Sequence, residues 1–323
     1  MVKCYLRRTR ESRVRSGHPW VFLSDIERTE GSFTPGDVAE VRSVNNTFLG
    51  RAFFNPRSQI ALRMLTRHDE PIDGDFFLRR IREAWAWRTR LCDVNSCRAV
   101  FAESDFLPAL IVDKFGDVLA VQSLCAGLEP WKGILTEILV EVIKPRGIYE
   151  RSDVPVRRLE GLEQCTGLLY GQVPDRVAML ENGITFSVDV KKGQKTGFFL
   201  DQKDNRRAIH RLCGGAKVLD CFTHTGSFAL NAAIAGASSV VAVDASDLAV
   251  EQAQENARLN GVEDRVSFLC RDVFALLPEL IEKGEQYDVV ILDPPAFTKS
   301  RNSIKAAARG YREINLRGMR LVR

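Results

Sequence analysis

The sequence predicts an α/β protein in three parts: a small N-terminal β-barrel, a mixed α/β middle and a doubly wound parallel sheet at the C-terminal end. Three observations carry that prediction. Residues 1 to about 70 are short β-rich segments broken by turn signals, residues 100 to 180 mix strand-like runs with a helix, and from about 184 onward apolar strands alternate strictly with helices. The chain has 323 residues, 45% of them apolar and 27% charged, which is ordinary globular composition with enough length for more than one core.

In the first part, Pro19, Gly31, Pro35-Gly36-Asp37, Asn45-Asn46, Gly50 and Asn55-Pro56 punctuate the strands, and residues 63–67 close the barrel. Residues 69–75 read as a linker. A helix follows, with Phe76, Phe77, Ile81, Ala84 and Trp85 spaced along one face. The middle part holds strands at Ala109–Val112 and Val118–Gln122 and a helix near Trp131–Ile143. In the last part the strands are Lys217–Phe222, Val240–Asp244, Val266–Cys270 and Tyr287–Leu292. The helices between them are Gly226–Ala235, Leu248–Asn260 and one after Asp272, with a final helix from about 306 to 322. Strands this uniformly apolar are buried on both faces, as in a parallel sheet covered by helices. The expected domains are 1–70, 71–183 and 184–323.

Several function classes fall away on composition. The longest apolar runs, such as 287–292, are far shorter than the roughly 20 residues of a bilayer helix. The start, Met-Val-Lys-Cys-Tyr-Leu-Arg-Arg, lacks the apolar run of a signal peptide, so a cytoplasmic protein is expected. Eight cysteines are scattered without a CxxC pair, which argues for reduced thiols and against a zinc site; no metal is expected. The net charge is +4, but Lys3, Arg7, Arg8, Arg10, Arg13 and Arg15 crowd one end and a second basic run spans Lys299 to Arg323. Both runs suit contacts to phosphates, and each taken alone suits a solvated face equally well.

The chemistry concentrates at strand ends. Asp220 follows Val218-Leu219, Asp244 follows Val241-Ala242-Val243, Asp293 follows Val290-Ile291-Leu292, and Asp272 ends the third strand region. Singly, each Asp suits a turn or helix cap. Together they line the rim where doubly wound sheets bind ligands. The turn Asp220-Cys221-Phe222-Thr223-His224-Thr225-Gly226 leads into a helix start, and Gly226 is expected to let the backbone approach a ligand. That turn is neither G-x-G-x-x-G nor a P-loop, which disfavours a pyrophosphate ligand and makes a nicotinamide oxidoreductase a remote alternative. An acid-lined rim suits a ligand with a ribose, an adenine and an amino-acid end. Asp244 is then placed for the ribose hydroxyls and Asp272 for the adenine amine. Asp293-Pro294-Pro295-Ala296-Phe297 adds a stiff loop without two N–H donors. The polar and aromatic segment Lys191–Gln202 precedes the first strand and is positioned in sequence to close over a ligand.

Gln194 to Gln202, Asp220 to Phe228, Val243-Asp244, Asp293 to Phe297 and Arg309 to Asn315 together resemble the class I S-adenosylmethionine-dependent methyltransferases that modify cytosine carbon-5 in bacterial 23S rRNA. Gly17-His18-Pro19-Trp20-Val21-Phe22 resembles that family's PUA domain. Its middle domain is echoed by Ala102 to Pro108 and Tyr149 to Val154. The resemblance runs nearly end to end. It implies a PUA-like barrel, a Rossmann-like methyltransferase sheet and S-adenosylmethionine held by Lys195, Thr196, Gly197, Asp220, Phe222, Thr225, Gly226, Asp244, Asp272 and Asp293. It also implies 23S rRNA as partner, with Arg7, Arg8, His18 and Trp20 as RNA contacts, and Asp293 as the catalytic group at the polar edge of a flipped base; self-association into a homodimer stays open.

In that family a Cys thiolate adds to carbon-6 so that carbon-5 can accept a methyl group. The resemblance puts this Cys in a strand after the final helix, past Arg323. The expectation is therefore a sheet missing its C-terminal strands, in a chain that binds cofactor and methylates carbon-5 poorly or not at all. Cys221 sits beside the cofactor turn and Cys270 reads as a core thiol. His224, where the family commonly has an aromatic residue, reads as a packing side chain. The alternatives are a guanine-nitrogen rRNA methyltransferase and an RNA-binding module with a degenerate enzyme domain.

Overall fold

Six short strands make the N-terminal sheet: β1 (Val2–Leu6), β2 (Trp20–Val21), β3 (Ile26–Glu30), β4 (Val38–Arg42), β5 (Phe48–Phe54) and β6 (Leu62–Thr66), in the order β2-β6-β5-β4-β1-β3. A short helix, α1 (Glu11–Arg15), follows β1. Only β1 and β4 run parallel; the other pairs are antiparallel. Side chains alternate across a strand, and here both faces find cover. Ala52, Phe54, Leu62 and Met64 join Val2, Cys4, Leu6 and Val41 in one core. Phe53 and Leu65, one residue out of phase, belong to a second core shared with the middle of the chain.

That sharing alters the reading of 69–75. Asp69 pairs with Arg51 at 2.6 Å, and Glu70 accepts the Thr66 hydroxyl at 2.6 Å. Asp73 accepts the Phe76 N–H at 3.0 Å as the N-cap of α2 (Gly74–Leu91). The segment is thus a packed helix entry, not a loose linker. As its spacing predicts, α2 buries Phe76, Phe77, Ile81 and Ala84. They meet a five-stranded sheet of β7 (Ser96–Phe101), β8 (Leu110–Phe115), β9 (Val118–Ser123), β10 (Gly147–Ser152) and β11 (Cys165–Gly171), ordered β11-β10-β9-β8-β7. The parallel pair β9 and β10 needs a crossover, and α3 (Lys132–Ile143) supplies it. A single turn, α4 (Val156–Leu159), lies between β10 and β11.

A ribbon of β12 (Val177–Glu181) and β13 (Ile184–Val188) comes next and was invisible in the strand and helix rhythm. After the short helices α5 (Lys203–Ala208) and α6 (His210–Cys213), the parallel sheet appears as expected. Its strands are β14 (Lys217–Cys221), β15 (Ser239–Asp244), β16 (Val266–Cys270) and β17 (Val289–Leu292), ordered β16-β15-β14-β17. The alternating helices are α7 (Ser227–Ile234), α8 (Asp247–Leu259), α9 (Val273–Glu282) and α10 (Ile304–Leu321). Leu219, Cys221 and Val243 point into a core with α9 and α10 residues such as Val273, Leu277, Ile314 and Leu321. Val322 bridges Tyr287 in parallel beyond β17. The order reverses at β14, flanked by β15 on one side and β17 on the other, and such a switch point opens a crevice at the strands' carboxyl ends.

The computed structural model describes residues 1–298 and 303–323, so Lys299 and Arg301 of the C-terminal basic run lie outside the described residues. The chain forms two compact units, one of residues 1–177 and 188–198 and the other of 178–187 and 199–323. Among the described residues no helix is long and apolar enough to cross a membrane, and all eight cysteines are free thiols.

Candidate cofactor-binding site

Asp220 lies one residue out of phase with Leu219 and Cys221, so its side chain leaves the α9/α10 core for the opposite face of the sheet. It is fully buried. The Thr223 hydroxyl donates to Oδ2 at 2.6 Å, while Oδ1 has no hydrogen-bond partner and the Ala229 amide lies close without completing one. Burial pushes the carboxyl up to about 7, Thr223 opposes this, and the carboxylates of Asp293 and Asp244 add to it. Those mutual effects place the three acids on one rim of the second unit. Asp272, two residues past the end of β16, accepts the Ala275 N–H at 3.1 Å as the N-cap of α9.

Asp244 ends β15 and organises the turn beside it, accepting the His224 N–H at 2.9 Å and the Ser246 N–H at 3.0 Å. Phe222 and His224 both hold positive φ, 67° and 52°, which bends the turn sharply. The His224 ring meets Phe199 edge-on at 5.2 Å, the packing role expected of it; burial lowers its pKa, with Asp244 opposing. At Gly226, with φ 83°, a Cβ would lie 2.8 Å from Leu230 Cδ1 and 3.1 Å from Ala253 Cβ, so the close packing of α7 on α8 and the αL bend both call for glycine here. Thr225 is buried beside it with an unpartnered Oγ1. Asp293 is exposed just past β17, and Gln202 Nε2 donates to its two oxygens at 3.2 and 3.3 Å. Downstream, Phe297 stacks on Tyr311 at 4.4 Å and on Phe274 at 5.5 Å.

Two supports escaped the sequence reading. Asn256, fully buried on α8, accepts the Ser187 N–H at 2.9 Å and donates to the Thr225 carbonyl at 3.0 Å, tying β13 to the turn. Arg206 and Glu181 form a buried bidentate pair (2.6 and 2.9 Å), and Arg206 also holds the Phe199 carbonyl at 2.8 Å. Polar residues on helices i, i+4 apart look like a solvated face, whereas here the ribbon's edge, at Thr185 and Ser187, gives Gln252, Asn256 and Asn260 partners. Cys270 is a correction: it is exposed at the end of β16, in register with Asp244, because the last residue of a strand emerges from the sheet. Cys221 is buried, and burial raises its thiol pKa far above the ordinary value, so it stays protonated.

The family model for S-adenosylmethionine-dependent methyltransferases matches residues 156–322. The chain belongs to that family. A PUA-like domain model matches residues 5–67 of this methyltransferase. It is 42% identical to the ribosomal RNA large subunit methyltransferase I of Aliivibrio fischeri, over 99% of this chain and 83% of that protein. It is 41% identical to the protein of the same name from Aeromonas salmonicida, again over 99% and 83%. Among solved structures it shares its fold with a SAM-dependent methyltransferase from Streptococcus mutans (TM-score 0.82, 21% identity, 100% of this chain and 83% of that one). A methyltransferase solved in complex with SAH gives a TM-score of 0.85 at 20% identity, with the same coverage.

S-Adenosylmethionine fits the groups the methyltransferase offers. An orphaned buried carboxylate oxygen on Asp220 and an orphaned hydroxyl on Thr225 sit at the strand-to-helix turn, where a cofactor with ammonium, carboxylate and ribose groups brings donors and acceptors. The remaining candidates belong to the first unit. Lys195 (φ 53°) and Gly197 (φ 129°) bend a tight turn, and between them Thr196 is buried with its hydroxyl donating to Asp113 at 2.6 Å. Of the residues named for RNA, Arg7 and Arg8 are exposed. His18 is held by Arg13 at 3.1 Å and by the Trp20 backbone, and the Trp20 indole donates to Glu103 at 2.7 Å. His18 thus steadies the segment between α1 and β2, and Trp20 ties β2 to the turn after β7.

Proposed function

We propose that this methyltransferase acts on ribosomal RNA of the large subunit, transferring a methyl group to carbon-5 of a cytosine in 23S rRNA. The observation that carries the reading is the rim itself: Asp220, Asp244 and Asp293 gathered at the switch point of a chain 42% identical to large-subunit rRNA methyltransferases. When bound, S-adenosylmethionine supplies an electrophilic methyl group. The chain's residues do the positioning. Asp244, fixed by two backbone N–H groups, accepts from the ribose hydroxyls. Asp220 and Thr225 meet the amino-acid end, and Phe222 lines the site. Lys195, Thr196 and Gly197 are assigned to the cofactor by the family resemblance, and Asp272 has one cap bond and a second oxygen for the adenine amine.

Asp293 hydrogen-bonds the exocyclic amine of the flipped base. Gln202 orients its carboxylate, and Pro294-Pro295 holds the following backbone extended and free of competing N–H donors. Carbon-5 of cytosine also requires a thiolate at carbon-6. Cys221, buried and protonated, is not that nucleophile. Arg7 and Arg8 contact phosphate.

Calorimetric titration with S-adenosylmethionine, on the wild type and on Asp244→Ala, tests the cofactor site. Binding is expected in the wild type and a loss of at least tenfold in the variant. Nucleoside analysis of treated 23S rRNA tests the target: 5-methylcytosine supports the proposal, and N-methylguanine would replace it with the guanine-nitrogen activity.

A further inference from the structure

Building on the reading of RNA as substrate, we propose that the turn joining β7 to β8 in the first unit is a stacking site for unpaired RNA bases, with Phe101 and Phe106 as its two rings. The rings flank a four-residue 3-10 turn, Ala102–Asp105, and are 48% and 55% exposed. The backbone around them takes positive φ at Ala102 (44°), Phe106 (57°) and Ala109 (66°), a conformation that disfavours any residue with a β-carbon and bulky ones most. Glycine would make the same turn more easily. The surroundings nevertheless enforce it. Phe106 N–H donates to the Glu103 carbonyl at 3.2 Å and Leu107 N–H to the Ala102 carbonyl at 3.0 Å. The Asp105 carboxylate accepts the Phe101 N–H at 2.6 Å and both arms of the Arg88 guanidinium, which also reaches the Arg98 carbonyl at 3.0 Å. A strained, over-determined loop that displays two phenyl rings to water is what a binding site looks like.

Each ring is backed by a guanidinium. Arg98 lies over Phe101 at 5.0 Å, held by Asp113 at 2.8 and 3.0 Å. Arg80 lies between Phe106 at 5.1 Å and the buried Phe76 at 5.4 Å. Trp87 is 55% exposed and stands two turns along α2 from Arg80, on the same stripe. The acids of the turn are matched: Glu103 by the Trp20 indole and Arg63, Asp105 by Arg88, Asp113 by Arg98. Glu83 is likewise matched, by Arg80 at 3.5 Å, so the charges around the rings are balanced. Exposed aromatic faces with arginine beside them take splayed single-stranded bases, whereas a duplex keeps its base faces stacked inside.

The test uses the full chain, a labelled single-stranded oligoribonucleotide and a hairpin duplex of equal length, read by fluorescence anisotropy. Phe101→Ala and Phe106→Gly each lower single-strand affinity about tenfold, leave duplex affinity unchanged and leave S-adenosylmethionine binding intact. Phe106→Gly relieves the αL strain, so its melting temperature equals or exceeds that of the wild type, which separates loss of binding from loss of fold. Unchanged single-strand affinity in the folded double variant overturns the proposal and leaves the rings to a protein partner. Equal losses for strand and duplex overturn it as well. Wild-type methylation of rRNA, measured alongside, reads the parent function separately: ring-dependent strand binding without methylation removes the rRNA methyltransferase reading alone, and methylation with ring-independent binding removes this site alone.

Discussion

Asp220 shows how one carboxyl can link stability and site. Its folded pKa, about 7, lies above the ordinary value of 3.8 because the group is buried with one oxygen unpartnered. The folded state therefore binds the proton more tightly than the unfolded state. The stability this provides is fully present below about pH 4 and is lost as pH rises through about 7, a change on the order of 4 kcal/mol. Asp220→Asn abolishes that fall: urea unfolding between pH 5 and 8 is expected to show a declining midpoint for the wild type, relative to a flatter profile for the variant. A parallel decline in both would assign the effect elsewhere. Much at this scale was legible in the sequence. An acid directly after an apolar strand of a parallel sheet has few places to go, so Asp220, Asp244 and Asp293 were readable as one rim. The ambiguity lay where an Asp precedes a helix, since a cap and a ligand contact call for the same residue type, and Asp272 caps α9 through one oxygen. Gly226 was legible as a position that needs a missing side chain, whereas the packing neighbours that also demand it, Leu230 and Ala253, were not.

Among elements, the alternation of strands and helices was legible from 217 to 292 to within a residue or two, since the strands are largely apolar and α8 and α9 open at the capping residues Ser246 and Asp272. The ribbon of β12 and β13 was not. Its residues, Val-Ala-Met-Leu-Glu and Ile-Thr-Phe-Ser-Val, alternate over only five positions, and its edge is satisfied by helix amides in place of a third strand. Glu181 on this ribbon makes the fully buried pair with Arg206. Removing one partner strands the other charge, so Arg206→Ala is expected to lower stability by about 3–5 kcal/mol, readable as a lower denaturant midpoint. The pair of changes Arg206→Met and Glu181→Leu should recover most of that loss; failure to recover would show that the Phe199 carbonyl contact, not the ion pair, holds the element.

For the molecule as a whole, charge was the most readable property and the two-unit division the least. Arg7 and Arg8 project from the first unit with no side-chain hydrogen bond or ion pair to the described residues, so they are free to neutralise phosphates. In a plot of log affinity for RNA against log salt, the double change Arg7→Ala and Arg8→Ala is expected to flatten the slope by about 1 to 2. An unaltered slope would mark these arginines as solvated bystanders. The expected boundary near residue 184 followed the change of rhythm, whereas the compact units interleave, with 178–187 in the second and 188–198 in the first. That interleaving bears on inheritance. No single crossover in the chain separates the two units: a junction at 199 strips the ribbon and Glu181 from the methyltransferase sheet, and one at 178 carries off Thr196, the partner of Asp113. The two bodies can therefore be exchanged between relatives only together, so whatever specificity the first unit carries is inherited with the methyltransferase sheet.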